Sequence, residues 1–224
     1  MAATLSSTLS LADLVVEEPS RSRVFERFGL DYCCGGGHTL EEACRKRGIP
    51  VAEIVAALQA PGAPSEHDWA SASVDELVDH IVDVHHAYLR DKLPRLSRLL
   101  AEVARAHGSQ DARLVEVSAT FETLRTELES HLTSEEDEAF PAFRAAAEGS
   151  SFVLMDVLEH DHAEVGRLLG LLSGLTSAYD QARAHCGTHR AALDGLRELT
   201  LDLHQHIHEE NNILCPRVRA LIHQ

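Results

Sequence analysis

The stretch His131-Leu-Thr-Ser-Glu135 has a counterpart in His206-Ile-His-Glu-Glu210, in which both the His and the Glu recur 75 positions later. In a helix, a His and a Glu that are four residues apart lie on one face, a single turn from each other. The two stretches therefore predict two helices that each present an imidazole and a carboxylate side by side.

Both pairs belong to apolar helix faces. Apolar residues recur around each pair at steps of three and four, a spacing that is typical of a helix face packed into a core. They are Leu114, Val117, Phe121, Leu124 and Leu128 around the first pair, and Leu196, Leu199, Leu203 and Ile213 around the second. Since a buried carboxylate is costly to desolvate unless a cation meets it, the duplicated pairs indicate a metal site.

Four long amphipathic segments make up most of the chain. They are predicted at about Val74–Ala106, Asp111–Glu148, Phe152–Leu175 and Gln181–Ile222. Short connections between long helices favour antiparallel neighbours, so the sequence predicts an all-α, up-down four-helix bundle with no strands. Pro141 and Pro216, again 75 residues apart, are predicted to end or kink their helices.

A smaller helical domain is predicted before the bundle. The region from Leu9 to Gln59 contains short helical patterns, and Thr39 with Glu42 and Ser73 with Glu76 both match capping boxes. The linker Ala60-Pro-Gly-Ala-Pro-Ser65 separates the two parts. We therefore predict domains at residues 1–62 and 63–224.

Composition excludes several classes of function. The 36 acidic and 20 basic residues give a formal charge of −16, which disfavours nucleic acid and anionic membranes as partners. No apolar run approaches the roughly 18 residues that span a bilayer, and the first residues lack the features of a secretory signal. Five cysteines without a repeating framework are expected to be reduced thiols in a cytoplasm.

Histidines on the other two apolar stripes complete a ligand set. The third segment contributes His162, whereas on the first segment both His85 and His86 fit between Val82 and Leu89. One His per segment and two Glu make six ligands, enough for two ions that share both carboxylates and keep open positions for a small molecule. Such a set suits iron, manganese or zinc. The alternative is that these side chains make only ordinary buried hydrogen bonds.

Eight further histidines and two acidic residues are predicted to face solvent. His204 and His208 flank His206 by two residues and therefore face away from it, while Glu136 and Glu209 lie one step off the apolar stripes. The same interpretation applies to His67, His80, His107, His185, His189 and His223. None of these residues is assigned to the metal site.

Two adjacent cysteines, Cys33 and Cys34, precede Gly35-Gly-Gly37. The glycines permit backbone angles that other residues avoid, which predicts a turn that exposes both thiols. A stable disulfide is not expected, because adjacent cysteines close a strained ring. The helix that starts after Thr39 would lower a nearby thiol pKa and give a soft ligand or a redox-active thiolate. The alternative is a packing role, which is also predicted for Cys44, Cys186 and Cys215.

The stretch Asp31-Tyr-Cys-Cys-Gly-Gly36, followed by two His-x-x-x-Glu helices, resembles the di-iron iron–sulfur cluster repair proteins, or repair-of-iron-centres family. The resemblance covers nearly the whole chain, and the two motifs together are far more specific than either alone. It implies a hemerythrin-like up-down four-helix bundle preceded by a small helical N-terminal domain. The chain departs from the family at Cys215, where Phe is usual, and at Gly37, which extends the glycine run.

The resemblance also implies a site. Its metal ligands would be His86, His131, Glu135, His162, His206 and Glu210, around two non-haem iron ions bridged by carboxylates. The family spacing selects His86, although periodicity alone admits His85 as well. Cys33 and Cys34 would take part in iron transfer or redox chemistry.

The implied function is the repair of iron–sulfur clusters damaged by nitric oxide or peroxide, by supply of iron in the cytoplasm. Its partners would be the damaged iron–sulfur proteins and small diatomic ligands. Two alternatives stay open: an enzyme that reduces nitric oxide or oxygen at the di-iron centre, and a module that binds or senses these gases. A hemerythrin-type carrier needs more histidine around one iron, and no fifth stripe histidine is found. The sequence leaves the oligomeric state open, a homodimer included.

Overall fold

The computed structural model describes residues 7–59, 69, 71–146 and 149–223. Within these residues the regular structure is helical and no strand forms, so the predicted all-α class is confirmed. None of the described helices combines the length and the apolar character needed to cross a bilayer. The predicted linker Ala60–Ser65, the boundary at 62/63, His67 and the segment end at Glu148 lie outside the described residues.

The chain divides into two compact units, Met1–Leu77 with His204–Gln224, and Val78–Leu203. The first unit contains helices α1 (Leu11–Glu17), α2 (Ser22–Phe28), α3 (Leu40–Arg47), α4 (Val51–Leu58) and most of α5 (Val74–His80). Its core consists of buried apolar side chains from these short helices and the turn between α2 and α3, among them Leu14, Phe25, Tyr32, Leu40 and Ile54. The first four helices are thus held by one shared core rather than by their length.

Capping fixes where these short helices begin. The Thr39 hydroxyl accepts the backbone N–H of Glu42, and the Glu42 carboxylate accepts that of Thr39. The same reciprocal pair joins Ser73 and Glu76 ahead of α5. Both predicted capping boxes are therefore confirmed, and each satisfies two amide groups that a helix start leaves unpaired.

The second unit is built from long helices that pack along one another. The long helices are α6 (Ala87–His107), α7 (Arg113–Ser134), α9 (Ser150–Leu175) and the greater part of α10 (Gly187–Glu209). A short helix, α8 (Phe140–Arg144), lies between α7 and α9 in the chain. Helix α7 packs against both α6 and α9. The fourth predicted segment begins later than expected, because Gln181–Arg183 forms a 3-10 turn and Ala184 is extended.

In the part of the chain that the structure describes, three π-helical segments interrupt the helices, at Ile81–His86, Glu135–Ala139 and Glu210–Leu214. The last two are again 75 residues apart, and helix resumes after each one, as α8 and as α11 (Cys215–Ile222). Pro141 and Pro216 fall at the start of these resumed helices. The prolines were predicted to end or kink their helices. Helix continues after each proline, and the backbone changes its hydrogen-bond pattern just before it. Such π segments are frequent at functional sites.

Candidate metal centre

In the second unit, the carboxylate of Glu135 lies between two imidazoles. Its Oε2 atom is 3.3 Å from Nε2 of His86 on the neighbouring helix, and its Oε1 atom is 3.1 Å from Nε2 of His131, one turn earlier on its own helix. Glu135 and His86 are both 0% exposed. A fully buried carboxylate that offers one oxygen to each of two ring nitrogens has the arrangement of a ligand shared between two cations.

His162 on α9 joins the same group. Its Nε2 atom is 3.1 Å from Nε2 of His131, and the two rings meet edge to face. His131, Glu135 and His162 each offer a donor atom, and these atoms lie within 4.8 Å of one another. Ligand atoms that converge to this degree are close enough to bind one metal ion after small adjustments.

The outer nitrogens of these rings contact carboxylates. Nδ1 of His86 is 2.6 Å from Glu136 Oε1, and Nδ1 of His131 is 3.4 Å from Asp161 Oδ2. Burial would raise the pKa of Glu136, but hydrogen bonds from Arg90 and His86 lower it by more. An ionised carboxylate only accepts hydrogen bonds, so Nδ1 of His86 carries the proton. When this ring is neutral, its lone pair is on Nε2, which faces Glu135.

This tautomer explains why a cation fits the group. A lone pair on Nε2 and a carboxylate oxygen repel each other at 3.1–3.3 Å, as found for His131 and His86 around Glu135, unless a proton or a cation lies between them. Metal-binding histidines commonly donate their other N–H to a carboxylate in this way. The mixture of imidazole and carboxylate donors suits iron, manganese or zinc.

The second predicted pair lies in the first unit. Nε2 of His206 is 3.1 Å from Oε1 of Glu210, and both side chains are buried. This distance equals that between His131 and Glu135, and both glutamates open a π-helical segment. The sequence repeat is therefore repeated in side-chain geometry. The structure thus groups four of the six predicted ligands in one unit, and the other two form a pair in the other unit.

Several residues that were predicted to face solvent do not. Glu209 and His208 are both 2% exposed or less. Glu209 accepts a hydrogen bond from Gln205, and His189 is also buried. The predictions for Glu209, His208 and His189 were wrong because position relative to an apolar stripe was taken to mean solvent, whereas the fold buries these side chains. The side chain of Glu136 hydrogen-bonds His86 but is 27% exposed and so partly faces solvent, as predicted.

His85 and His86 are consecutive but face different groups. Nδ1 of His85 is 2.9 Å from Asp202 Oδ1 on α10, whereas His86 contacts Glu135 and stacks on the ring of Phe140. Periodicity could not choose between them because both are buried. Their contacts show that His86 is the one beside the Glu135 carboxylate.

Within the first unit, the cysteine turn is attached to the helix that carries Glu210. The side-chain amide of Asn212 donates to the carbonyl oxygen of Cys33 at 3.2 Å, and Nδ1 of His208 is 3.3 Å from the carbonyl oxygen of Tyr32. A Cβ atom at Gly36 would lie 2.5 Å from that same Tyr32 oxygen. Gly36 is therefore needed for close approach. The predicted role in unusual backbone angles was wrong, since no glycine of this turn has a positive φ.

The two thiols differ in exposure and in protonation. The prediction that the turn exposes both thiols is wrong for Cys33, which is buried, and right for Cys34, which is exposed. The two sulfur atoms lie 4.0 Å apart with no disulfide between them. The pKa of Cys33 is held well above its usual range by the hydrogen bond to Cys34, by burial and by the nearby Asp31 carboxylate. The expected lowering of the thiol pKa is thus wrong for Cys33, because its contacts outweigh the helix that begins after Thr39. Cys44 and Cys215 are buried, as predicted.

Comparison with known proteins places both parts of the chain. Residues 77–218 match the hemerythrin HHE cation-binding domain family, and residues 8–61 match a family described as a domain of unknown function. The first match contains all six predicted ligands, and the second contains the cysteine turn. The relationship to cation-binding proteins therefore includes the His206–Glu210 pair as well as the group around Glu135.

Several whole proteins are similar along nearly their full length. A probable iron–sulfur cluster repair protein of Haemophilus influenzae is 34% identical over 212 residues, which cover 93% of this chain and 95% of that protein. The iron–sulfur cluster repair protein YtfE of Escherichia coli O157:H7 is 34% identical over 211 residues, covering 94% and 96%. That of Musicola paradisiaca is 33% identical over 210 residues, covering 93% and 95%. The chain therefore belongs to the iron–sulfur cluster repair protein family, with a helical N-terminal region followed by a hemerythrin-like, cation-binding helical bundle.

Proposed function

We propose that this protein repairs damaged iron–sulfur clusters by supplying iron from a carboxylate-bridged two-iron centre. The observation that carries the proposal is the position of Glu135 between His86 and His131, in a chain that is similar to repair proteins over nearly its whole length. Five cysteines without a disulfide among them fit a reducing compartment, and we place the protein in the cytoplasm.

Six residues would hold the two ions. His86, His131, Glu135 and His162 already converge within one unit. His206 and Glu210 repeat the geometry of His131 and Glu135. We infer that Glu135 and Glu210 bridge the ions, because two shared carboxylates and four imidazoles supply each ion with two nitrogen and two oxygen donors. Iron bound there would offer open coordination positions to a small diatomic molecule.

The chain's own residues prepare this site in three ways. Glu136 holds the proton on Nδ1 of His86, so that Nε2 keeps its lone pair for a cation. Burial of Glu135 and Glu210 excludes water that would compete for the metal. The π-helical turns that begin at these glutamates replace the regular helical hydrogen-bond pattern locally, and we propose that this lets a carboxylate swing away when an ion leaves.

The cysteine pair would receive the outgoing iron. Cys34 is exposed, and its neighbour Cys33 is tied through Asn212 to the helix segment that opens with Glu210. Cysteines bind iron as thiolates, which are soft ligands, so iron that reaches this turn would displace the proton that the surroundings of Cys33 retain. We propose that this turn hands iron to the damaged protein, which would be the principal partner.

Two measurements on the purified, iron-loaded protein test the proposal. Repair is followed as the recovered activity of an iron–sulfur enzyme that has been treated with nitric oxide, and recovery should scale with the iron lost by this protein. Nitrous oxide is measured in the same reaction. Many nitrous oxide molecules per chain, with the iron retained, would instead identify a nitric oxide reductase.

The bridging assignment has its own test. Glu135→Ala and Glu210→Ala should each strip the metal or leave a single weakly bound ion, because each change removes a ligand from both ions. Metal analysis and the absorption spectrum report the result. If both variants keep the wild-type metal content and spectrum, the two carboxylates are not bridges.

A further inference from the structure

His85 is prepared for a ligand although the predicted centre does not use it. The ring is buried, and its Nδ1 atom lies 2.9 Å from the Asp202 carboxylate. Because a carboxylate accepts and does not donate, Nδ1 carries the proton, and in the neutral ring the lone pair is on Nε2. A carboxylate on the outer nitrogen is the arrangement found around metal-binding histidines. His85 thus has the tautomer that a cation requires.

The π-helical segment brings a second histidine to the same place. His80 and His85 are five residues apart, a spacing that puts two side chains on different faces of an α-helix. The wider turn of the segment Ile81–His86 brings them together, with ring centroids 5.4 Å apart and the rings nearly perpendicular. Their ring nitrogens come within 4.8 Å of each other. The same segment therefore presents His86 to Glu135 and His85 to His80.

Carboxylates lie near His85 and near Tyr88, the residue one turn after it. Burial raises the pKa of Tyr88, one turn after His85, to about 12, and the carboxylates of Asp202, Glu198 and Asp91 contribute to the rise. Acidic groups held close to a partly buried site raise the local concentration of cations. The surroundings of the pair therefore favour a metal ion over an anionic ligand.

We propose that His80 and His85 form a third metal site, which takes a divalent transition metal and serves as a station for ferrous iron in transit. The second part rests on the proposed function, since iron needs a route only if the protein supplies it. Two imidazoles are a small set of protein donors. Such a site binds more weakly and exchanges faster than one built from six protein ligands, and fast exchange suits transit.

Cobalt titration of the full-length protein, loaded with iron and then washed with a chelator so that only tightly bound iron stays, tests the site directly. We expect one further Co²⁺ per chain, with a visible spectrum that reports imidazole ligation and with no loss of iron. His80→Ala and His85→Ala should each abolish this binding. Asp202→Asn should weaken it by about 10- to 100-fold, because it removes the charge that orients His85. The matched control is the double variant His107→Ala/His185→Ala, which removes a stacked histidine pair of the same unit.

The outcomes separate the site from its role. No additional Co²⁺ in the wild type, or undiminished binding in both His80→Ala and His85→Ala, overturns the site. If the site exists, iron transfer to a damaged cluster protein should be slower in His80→Ala than in the wild type at equal iron loading. Equal transfer rates would overturn the transit role. Absence of any transfer by the wild type would refute the proposed function, while the cobalt titration would still decide the site.

Discussion

Nδ1 of His86 lies 2.6 Å from the carboxylate of Glu136, and Nε2 of the same ring lies 3.3 Å from the carboxylate of the preceding residue, Glu135. Two consecutive acidic residues thus contact the two nitrogens of one imidazole. In the proposed centre, Glu135 is a ligand shared by two metal ions. Glu136 holds the proton on Nδ1 of His86, so that Nε2 of the same ring can bind a metal ion. Arg90 pairs with Glu136 and helps to keep it ionised.

This relationship predicts that Glu136 tunes metal affinity without being a ligand. Glu136→Ala should lower the affinity by about 10- to 100-fold, a magnitude usual for the loss of a carboxylate behind a metal-binding histidine. Competition with a chelator of known affinity measures the change. Glu138→Ala, which alters an exposed residue of the same π-helical segment, is the matched control. Equal affinities for the two variants would show that His86 needs no partner.

His85 and His86 should respond differently to removal. His86→Ala should lose about half of the iron or more, because this ring contacts the shared carboxylate. His85→Ala should retain the iron that survives a chelator wash, since its own contact is with Asp202. Metal analysis after the wash decides the matter. The opposite result, with iron lost in His85→Ala and kept in His86→Ala, would mean that the assignment is off by one residue.

Cys33 and Cys34 should be needed for repair and dispensable for iron loading. The six proposed ligands account for both ions without a thiol, whereas the exposed Cys34 and its neighbour Cys33 are proposed to receive iron. A double change to Ala should leave the metal content intact and abolish recovery of a damaged cluster enzyme. Wild type, variant and Cys186→Ala are compared at equal iron loading. Normal repair by the double variant would leave the pair a packing role only.

Acid should destabilise the metal-free protein partly through His189. Burial, with a contribution from the neighbouring His185 and His107, lowers the pKa of His189. Below a pH of about 6.5 an unfolded chain protonates this ring more readily than the folded one does, so the free energy of unfolding falls as the pH falls. His189→Gln can still accept the backbone N–H of His185 and should lose less stability between neutral and acidic pH.

Urea unfolding of the metal-free wild type and variant at two pH values, on either side of 6.5, measures this difference. His223→Gln, a change at an exposed histidine, serves as the control. The same pH dependence in His189→Gln as in the wild type would remove His189 from the acid response.

Helix-forming spacing predicted much of this architecture. The offset of 75 residues placed His131 with Glu135 and His206 with Glu210, and the structure repeats their 3.1 Å separation. This succeeded because a residue's face on a helix follows from local periodicity. The capping boxes at Thr39 and Ser73 were predictable for the same reason, since both involve residues three apart.

Features that depend on distant contacts or on a small change of pitch were not predictable. A π-helical segment differs from an α-helix by a shift of one hydrogen-bond position, and this shift produces no recognisable periodicity in the sequence. The segment Ile81–His86 nevertheless determines that His85 lies beside His80 and His86 beside Glu135. Burial of His208 depends on Tyr32, 176 residues away in the chain. The raised pKa of Cys33 likewise follows from its contacts with Cys34 and Asp31, and those require the folded turn.

An isotope experiment tests the central claim most directly. The protein is loaded with ⁵⁷Fe and mixed, without free iron, with an unlabelled iron–sulfur enzyme whose cluster has been damaged by nitric oxide. Mössbauer spectroscopy of the separated enzyme then locates the label. Our account predicts ⁵⁷Fe in the rebuilt cluster, up to about two per chain, with a matching loss from the bundle. A restored cluster that contains no label would contradict it.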